Sequence, residues 1–335
     1  MKREADINRK MSVLVTGAEL VAVAIEKLEA FGASLTLMDG KVTEARLREA
    51  ITQVQPDAIL MRGNPPLGRA MLEFAPQLRV IAKHGAGVDS VDLTAATERG
   101  ILVMVAGDAN APAVAEHTMA MILALGRDLV SLDRGVHNGV WARNDYKGRE
   151  VAGRTLGLVG FGRVARRVAS MAACFGLKVL ALPRRAGTVD PALAREVGSL
   201  DDLLRQSDIV SLHTPLTDLT RNMIDAAALS LMRPGALLIN TGRGALIDEA
   251  ALADVLTSGR LAGAAVDTLV EEPPDADAPL LHAPNLLITP HIAAMTGASI
   301  ARMGLGAAEN IVAALTGTGI DPANVANPAV LSLAR

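Results

Sequence analysis

One segment constrains the chain more than any other: the apolar run Thr155-Leu-Gly-Leu-Val159 leads into Gly160-Phe-Gly162-Arg-Val-Ala165 and then into a helical stretch, Arg166–Phe175. In a strand–turn–helix setting each small residue of G-x-G-x-x-A has its own physical reason. Gly160 permits the tight turn, Gly162 lets a pyrophosphate approach the backbone, and Ala165 is small enough for close helix–strand packing. An anion would sit on the amides of Arg163 and Val164 at the helix N-terminus. The same glycines also serve a plain structural turn, so the segment predicts a βα unit first and a dinucleotide site second.

The rest of the 335-residue chain repeats that alternation of strand-like runs with amphipathic helical stretches. Strands are expected at Val13–Thr16, Ser34–Leu37, Ala58–Met61, Val80–Ala82 and Leu102–Val105, with helices such as Leu20–Phe31 and Glu44–Val54 between them. A long helix from Ala111 to about His137 and a looped stretch holding Trp141 and Tyr146 follow. A second series then runs through Thr155–Val159, Lys178–Leu182, Ile209–Leu212, Ala236–Asn240, Ala264–Val266 and Leu286–Ile288. This pattern predicts an α/β fold of two doubly wound, Rossmann-like domains with parallel sheets. After Pro290 a helix over Gly297–Leu315 is placed to return to the first unit, and the Pro- and Ala-containing tail has no strand of its own.

Composition removes several classes of function. Thirty-three Lys+Arg against 36 Asp+Glu, with no long block of one sign, argue against a nucleic-acid binder, and six aromatic residues leave no stacking platform. The mean hydropathy is positive, yet the most apolar helical stretch, Ala111–Gly126, is interrupted by Glu116 and His117, so no bilayer span is expected. The polar start, Met1–Lys10, shows no apolar signal core, and the expected compartment is a reducing cytoplasm. A single cysteine, Cys174, allows neither an internal disulfide nor a thiolate cluster, and no metal site is expected. Cys174 reads as a small core residue of the helix after the glycine turn.

Five further segments share the order of a known family: Gly85-Ala-Gly-Val-Asp89, Asn110…Ala115-Glu-His117, Ser211-Leu-His-Thr-Pro-Leu216, Asn240-Thr-Gly-Arg-Gly244, and Val266-Asp267…Glu272-Pro273 with Thr289-Pro-His291. With the glycine turn they make the chain resemble the D-isomer-specific 2-hydroxy acid dehydrogenases over nearly its whole length, including the glyoxylate/hydroxypyruvate reductases and phosphoglycerate dehydrogenases. The resemblance implies a discontinuous, flavodoxin-like substrate domain over residues 1–109 and 296–335, and a dinucleotide-binding domain over 110–295. The regulatory C-terminal extension of some phosphoglycerate dehydrogenases is expected to be missing, because the chain ends too soon for it.

By that resemblance Arg243, Glu272 and His291 are the catalytic set. The chemistry of a 2-keto acid asks for the same types: a guanidinium fork grips the carboxylate and polarises the carbonyl, and a positioned acid protonates the oxygen as hydride reaches carbon. A carboxylate beside the imidazole fixes its ring and favours its cationic form. Singly, such residues are more often a salt-bridged arginine, a loop charge and a satisfied histidine; in this order they are read as a site. The resemblance also implies cofactor contacts from Gly160, Gly162, Arg163, Val164, His213, Thr214, Pro215, Thr241, Gly242 and Ala293, with Asp267 on the nicotinamide carboxamide. Substrate contacts are implied from the Ala86 and Gly87 amides, with Asp89 holding their loop. Glu116 and His117 read as helix-start structure, His84 can face the cleft but has no assigned role, and Arg62 reads as a solvated loop arginine.

Two positions depart from the family pattern. Ala293-Ala294 replaces a frequent Gly-Gly and narrows the pocket. At the end of the second strand after the glycine turn, where an Asp usually binds the adenosine ribose, the chain has Pro183 followed by Arg184 and Arg185. This predicts NADP(H) as the favoured cofactor, with NAD(H) the alternative. The expected function is hydride transfer between NAD(P)H and a small anionic 2-keto or 2-hydroxy acid; glyoxylate, hydroxypyruvate, phosphohydroxypyruvate and bulkier keto acids all stay open. Alternatives are a cofactor-sensing, corepressor-like interaction protein and a phosphite dehydrogenase, which keeps the Arg/Glu/His set. Formate dehydrogenases place Gln where Glu272 stands and are disfavoured. A homodimer is expected, with the Ala111–Glu150 stretch as an arm and the apolar run Met119–Leu125 as its support.

Overall fold

The computed structural model describes residues 10–63 and 65–333. The segment before Lys10, on which the expectation of no signal core rests, lies outside the described residues. In chain order the elements are β1 (Ser12–Val15), α1 (Ala22–Ala30), β2 (Ser34–Leu37), α2 (Glu44–Val54), β3 (Ala58–Met61), α3 (Arg69–Glu73), β4 (Val80–Lys83), α4 (Leu93–Glu98), β5 (Leu102–Val105), α5 (Ala111–Gly126) and α6 (Leu129–His137). They continue as β6 (Thr155–Val159), α7 (Arg163–Cys174), β7 (Lys178–Leu182), β8 (Arg195–Glu196), α8 (Leu200–Gln206), β9 (Ile209–Leu212), α9 (Ala226–Leu231), β10 (Leu237–Asn240), α10 (Glu249–Thr257), β11 (Gly263–Val266), β12 (Leu286–Ile288), α11 (Gly297–Thr316) and α12 (Val330–Leu333). Residues 1–110 with 296–335 form one compact unit and residues 111–295 the other.

The first unit holds a five-stranded parallel sheet, β2-β1-β3-β4-β5. Alternate residues of each strand feed opposite faces. Val13, Val15, Leu60, Ala82 and Met104 pack with Leu28 of α1 and with Ala307, Ala308 and Ile311 of α11. Leu14, Ile59, Met61, Ile81 and Val103 pack with Leu47 and Ile51 of α2. Every residue of β3 and β4 is therefore buried, as expected of inner strands covered on both faces. The tail after α11 runs beside β5, where Ala326 N donates to Val103 O and Asn327 Oδ1 accepts from Val103 N at 2.9 Å.

The second unit is a seven-stranded parallel sheet in the order β12-β11-β10-β9-β6-β7-β8. The chain winds outward from β6 in both directions, so the strand order reverses between β6 and β9. Ligands of open α/β sheets bind beyond the strand C-termini at such a reversal. Polar residues start the helices where the sequence provides them: Ser199, Asp225 and Asp248 each accept the amide three residues on, ahead of α8, α9 and α10.

Several sequence expectations need correction here. The helix expected from Ala111 to about His137 is two helices, separated where Asp128 takes φ +49°. The helix after the glycine turn starts at Arg163, because its first turn follows Gly162 directly. The two-residue edge strand β8 was not expected. Cys174 is exposed, not core: α7 buries Ala165, Val168, Ala169 and Ala172, a 3–4 spacing that turns position 174 outward. Met119, Met121 and Ile122 are buried in the core of their own unit, so that apolar run is already covered and lends no support to a partner contact. No helix among the described residues is long and apolar enough to cross a membrane.

Candidate active site

The glycine turn lies at the reversal between β6 and β9. Gly160 has φ +90°, and a Cβ there would fall 2.5 Å from His213 O, so only glycine lets the turn close against the end of β9. His213 N in turn donates to Val159 O at 2.8 Å. A Cβ on Gly162 would meet nothing within 4 Å. Gly162 caps α7 without any side-chain bond, and the first turn of α7 carries no acidic residue. The start of α7 thus has open space beside Gly162 and no acidic residue at the positive end of the helix dipole, which fits a pyrophosphate. His213 Nε2 is 2.9 Å from Ser211 Oγ, and burial pushes its imidazole down to about 4, so it sits there as a neutral group. Thr214 is half-buried and Pro215 exposed beside it.

Beyond the neighbouring strand β7, Pro183 ends the extended backbone and Arg184 and Arg185 are exposed in a turn. Thr188 Oγ1 donates to Arg185 O at 2.7 Å, and Glu196 of β8 accepts Gly187 N at 2.8 Å. Arg166 on α7 donates to Thr188 O at 2.8 Å. The turn is therefore built on its own bonds and tied to the helix that carries the glycine turn.

At the end of β10, buried Asn240 shapes the next turn: its Nδ2 donates to Arg243 O at 2.8 Å and its Oδ1 accepts Gly242 N at 3.0 Å. Arg243 Nη1 donates to Gly242 O at 2.8 Å. Thr241 Oγ1 meets Thr118 Oγ1 of α5 at 3.0 Å. A Cβ on Gly244 would lie 2.0 Å from Leu269 C and 2.4 Å from Val270 N. The absence of a side chain at 244 thus brings the Arg243 turn against the loop that ends in Glu272. That loop is fastened twice more, by Val270 N donating to Glu249 Oε1 at 2.7 Å and Leu269 N donating to Glu272 Oε1 at 3.1 Å.

Glu272 Oε2 is 2.8 Å from His291 Nδ1. Their side chains are 39% and 51% exposed, so the pair contributes little to stability and its importance is geometric: the carboxylate holds Nδ1–H and turns Nε2 outward. The loop carrying His291 is built on Asp267, which is 2% exposed. Asp267 Oδ1 accepts Thr289 Oγ1 at 2.6 Å and Ile292 N at 2.8 Å, and Oδ2 accepts Ala293 N at 2.9 Å. Three of its roughly four acceptor positions are thus filled from within the chain, leaving Oδ2 as the oxygen for any further donor. His291 itself has φ +56°, and its amide donates to Asp267 O and Thr289 O. For a non-glycine residue that conformation costs about 1–2 kcal/mol, and the bonds to residue 267 hold it there.

The sequence reading missed parts of this site. His117 is not helix-start structure: it lies in the second turn of α5, with Nε2 3.1 Å from Thr289 Oγ1 and 3.8 Å from Asp267 Oδ1. Asn240 and Thr289 stood inside the quoted motifs without a role, and Glu249 gave no signal beyond being an acid at a helix start. Ala86 and Gly87 belong to the first unit, on the loop after β4 where Gly85 has φ +137°, with Ala86 exposed. Arg62, in that unit, is a half-buried arginine whose Nη1 donates to Glu19 O, not a solvated one.

The model of the D-isomer specific 2-hydroxyacid dehydrogenase NAD-binding domain matches residues 119–293. A D-3-phosphoglycerate dehydrogenase of Mycobacterium tuberculosis is 39% identical over 267 residues, covering 78% of this chain and 50% of that protein. The chain thus spans about half the length of the phosphoglycerate dehydrogenases it matches. A glyoxylate reductase of Aeropyrum pernix is 40% identical over 271 residues, 78% of this chain and 80% of its own. Among solved structures, an acyclic imino acid reductase in complex with NADPH and D-Arg superposes with a TM-score of 0.85 at 26% identity, covering 94% of this chain and 99% of that one.

Proposed function

The chain belongs to the D-isomer-specific 2-hydroxyacid dehydrogenase family, and from that premise we propose that it interconverts a small anionic 2-keto acid and its 2-hydroxy acid with a nicotinamide dinucleotide. The observation that carries this reading is the 2.8 Å pairing of Glu272 with His291 on a loop fixed by buried Asp267. In the reducing direction His291 Nε2–H gives its proton to the keto oxygen as negative charge builds there, and Glu272 keeps the ring facing it. In the oxidising direction the neutral Nε2 takes the hydroxyl proton. Arg243 binds the substrate carboxylate through its planar guanidinium.

Gly160, Gly162, Arg163 and Val164 would hold the pyrophosphate of the dinucleotide, and His213, Thr214, Pro215, Thr241, Gly242, Asp267 and Ala293 would line its remaining length. The bound dinucleotide supplies the hydride. Arg184 and Arg185 follow the strand end where a ribose-binding acid would repel a 2′-phosphate, and this supports NADP(H) over NAD(H). The NADPH of the similar imino acid reductase is consistent with that preference. Glyoxylate and hydroxypyruvate are the first substrates to try, given the similar reductases.

A homodimer is part of the reading. Its support is α6 and the residues after it: α6 has no buried residue, and Leu129, Val130, Val136, Val140 and Trp141 are between 46% and 75% exposed. A second copy of the chain is the occupant that fits such a face. Light scattering at micromolar concentration gives a dimer mass if this is right and a monomer mass if it is wrong. A reducing cytoplasm suits a chain whose one cysteine allows no internal disulfide.

The function itself is tested with a panel of 2-keto acids and both reduced cofactors in a steady-state assay. Turnover of at least one small keto acid is the expected result; none with any pair would refute the reading.

A further inference from the structure

Helix α5 contributes two consecutive residues to the loops around the proposed catalytic set. Thr118 meets Thr241, two residues before Arg243, and His117 meets Thr289, two residues before His291. The His117 contact has a proton direction that the surrounding bonds determine. A threonine hydroxyl owns one proton. Asp267 accepts from three donors, so the proton of Thr289 lies on the 2.6 Å bond to Asp267 Oδ1. Thr289 Oγ1 then has only lone pairs to offer at 3.1 Å, and the nitrogen facing it must carry the hydrogen.

We infer that His117 is a positioning residue for His291: held as the Nε2–H tautomer, it donates to Thr289 and fixes the hydroxyl through which the Thr289–Ala293 loop is anchored on Asp267. The arrangement runs His117 Nε2–H to Thr289 Oγ1, then Thr289 Oγ1–H to Asp267 Oδ1, with the amides of Ile292 and Ala293 completing the carboxylate's shell. A loop that places a residue at φ +56° needs such fixed anchors. Without the donor from α5, the hydroxyl regains rotamer freedom, and one of the bonds that orient the His291 backbone weakens. The inference rests on the proposal that His291 is the proton donor.

The first test is a histidine side-chain ¹⁵N–¹H correlation spectrum of the full-length protein at about pH 8, where imidazoles are neutral. The spectrum is expected to show His117 protonated on Nε2 and bare on Nδ1; the opposite tautomer overturns the inference. The second is kinetic. His117→Leu should lower kcat about tenfold, the scale of one lost hydrogen bond, while KM for the keto acid and the dissociation constant of the dinucleotide stay within about threefold. His117→Gln, which restores an N–H donor of similar reach, should recover most of the loss. Thr289→Val should match His117→Leu, and the double variant should be no worse than the poorer single one.

Unchanged kcat in His117→Leu, a Gln variant as poor as Leu, or additive losses in the double variant would each overturn the role. Should His117→Leu fail to fold, the tautomer and Thr289→Val decide the question. A fully active His291→Ala would instead remove the underlying reading, whereas an inactive His291→Ala beside an unaffected His117→Leu removes only this inference.

Discussion

His291 and Glu272 meet at 2.8 Å, Nδ1 to Oε2, while the second carboxylate oxygen of Glu272 is occupied by the amide of Leu269. The acid is therefore anchored to its own loop and holds the imidazole from a fixed position, which a flexible surface pair would not do. Glu272→Gln keeps an acceptor for Nδ1–H and removes the charge that stabilises a protonated ring in the transition state. It should lower kcat for keto acid reduction by about 10–100-fold with the dinucleotide dissociation constant unchanged. A variant with near-normal kcat would detach Glu272 from the chemistry.

Gly244→Ala tests the packing that brings the Arg243 turn and the Glu272 loop together. A methyl group 2.0 Å from Leu269 C has no flexible side chain to displace, so backbone must move. The expected cost is about 2–3 kcal/mol of stability, read by denaturant unfolding, together with at least a tenfold fall in kcat. Normal stability and activity would mean that the two loops can separate freely.

Cofactor choice is read from the ratio of kcat/KM with NADPH to that with NADH. One charge-assisted bond to a 2′-phosphate is worth about 1.5–3 kcal/mol, or roughly 10–100-fold. The wild type should favour NADPH by that order, and Arg184→Ala or Arg185→Ala should reduce the ratio about tenfold. Equal use of NADH by the wild type, or a ratio that neither substitution moves, would refute this reading of the strand end.

Two histidines set an acid limit on stability. Burial pushes His213 down to about 4, and burial followed by the nearby Arg62 guanidinium pushes His84 to about 4 as well. Between about pH 6.5 and pH 4 the unfolded chain binds protons that the native groups refuse. Stability is therefore highest above pH 6.5 and falls as the pH drops through that window, by at most about 2 kcal/mol at pH 5 for His213. Urea unfolding at pH 7 and pH 5 checks this, and His213→Asn should flatten the slope. A pH-independent midpoint over that range would contradict it.

Much of the fold was legible because its inner strands are short apolar runs buried on both faces. The inner strands Ala58–Met61 and Thr155–Val159 fall within the predicted bounds, and so do the edge strands Ser34–Leu37 and Leu102–Val105. β8 was not, since two polar residues at a sheet edge have no pattern. The break at Asp128 follows Gly126, the last residue of α5, a weak helix-ending signal inside an otherwise helical stretch. Cys174 was legible in principle from the spacing of Ala165, Val168, Ala169 and Ala172, which fixes the buried face of α7. In the candidate site the reacting types stood in the sequence, but their supports did not. His117 reaches Thr289 across 172 positions, and no local periodicity encodes such a contact. The clash that reserves position 244 for glycine exists only once the β10 turn and the 269–272 loop are folded together.

The central claim, that His291 is the proton donor and acceptor in 2-keto acid reduction, is tested most directly by His291→Ala. We expect kcat with the best keto acid of the panel to fall by about 10²–10⁴ while the dinucleotide dissociation constant, read by fluorescence titration, stays within about threefold of wild type. A variant that retains close to full kcat would contradict the account.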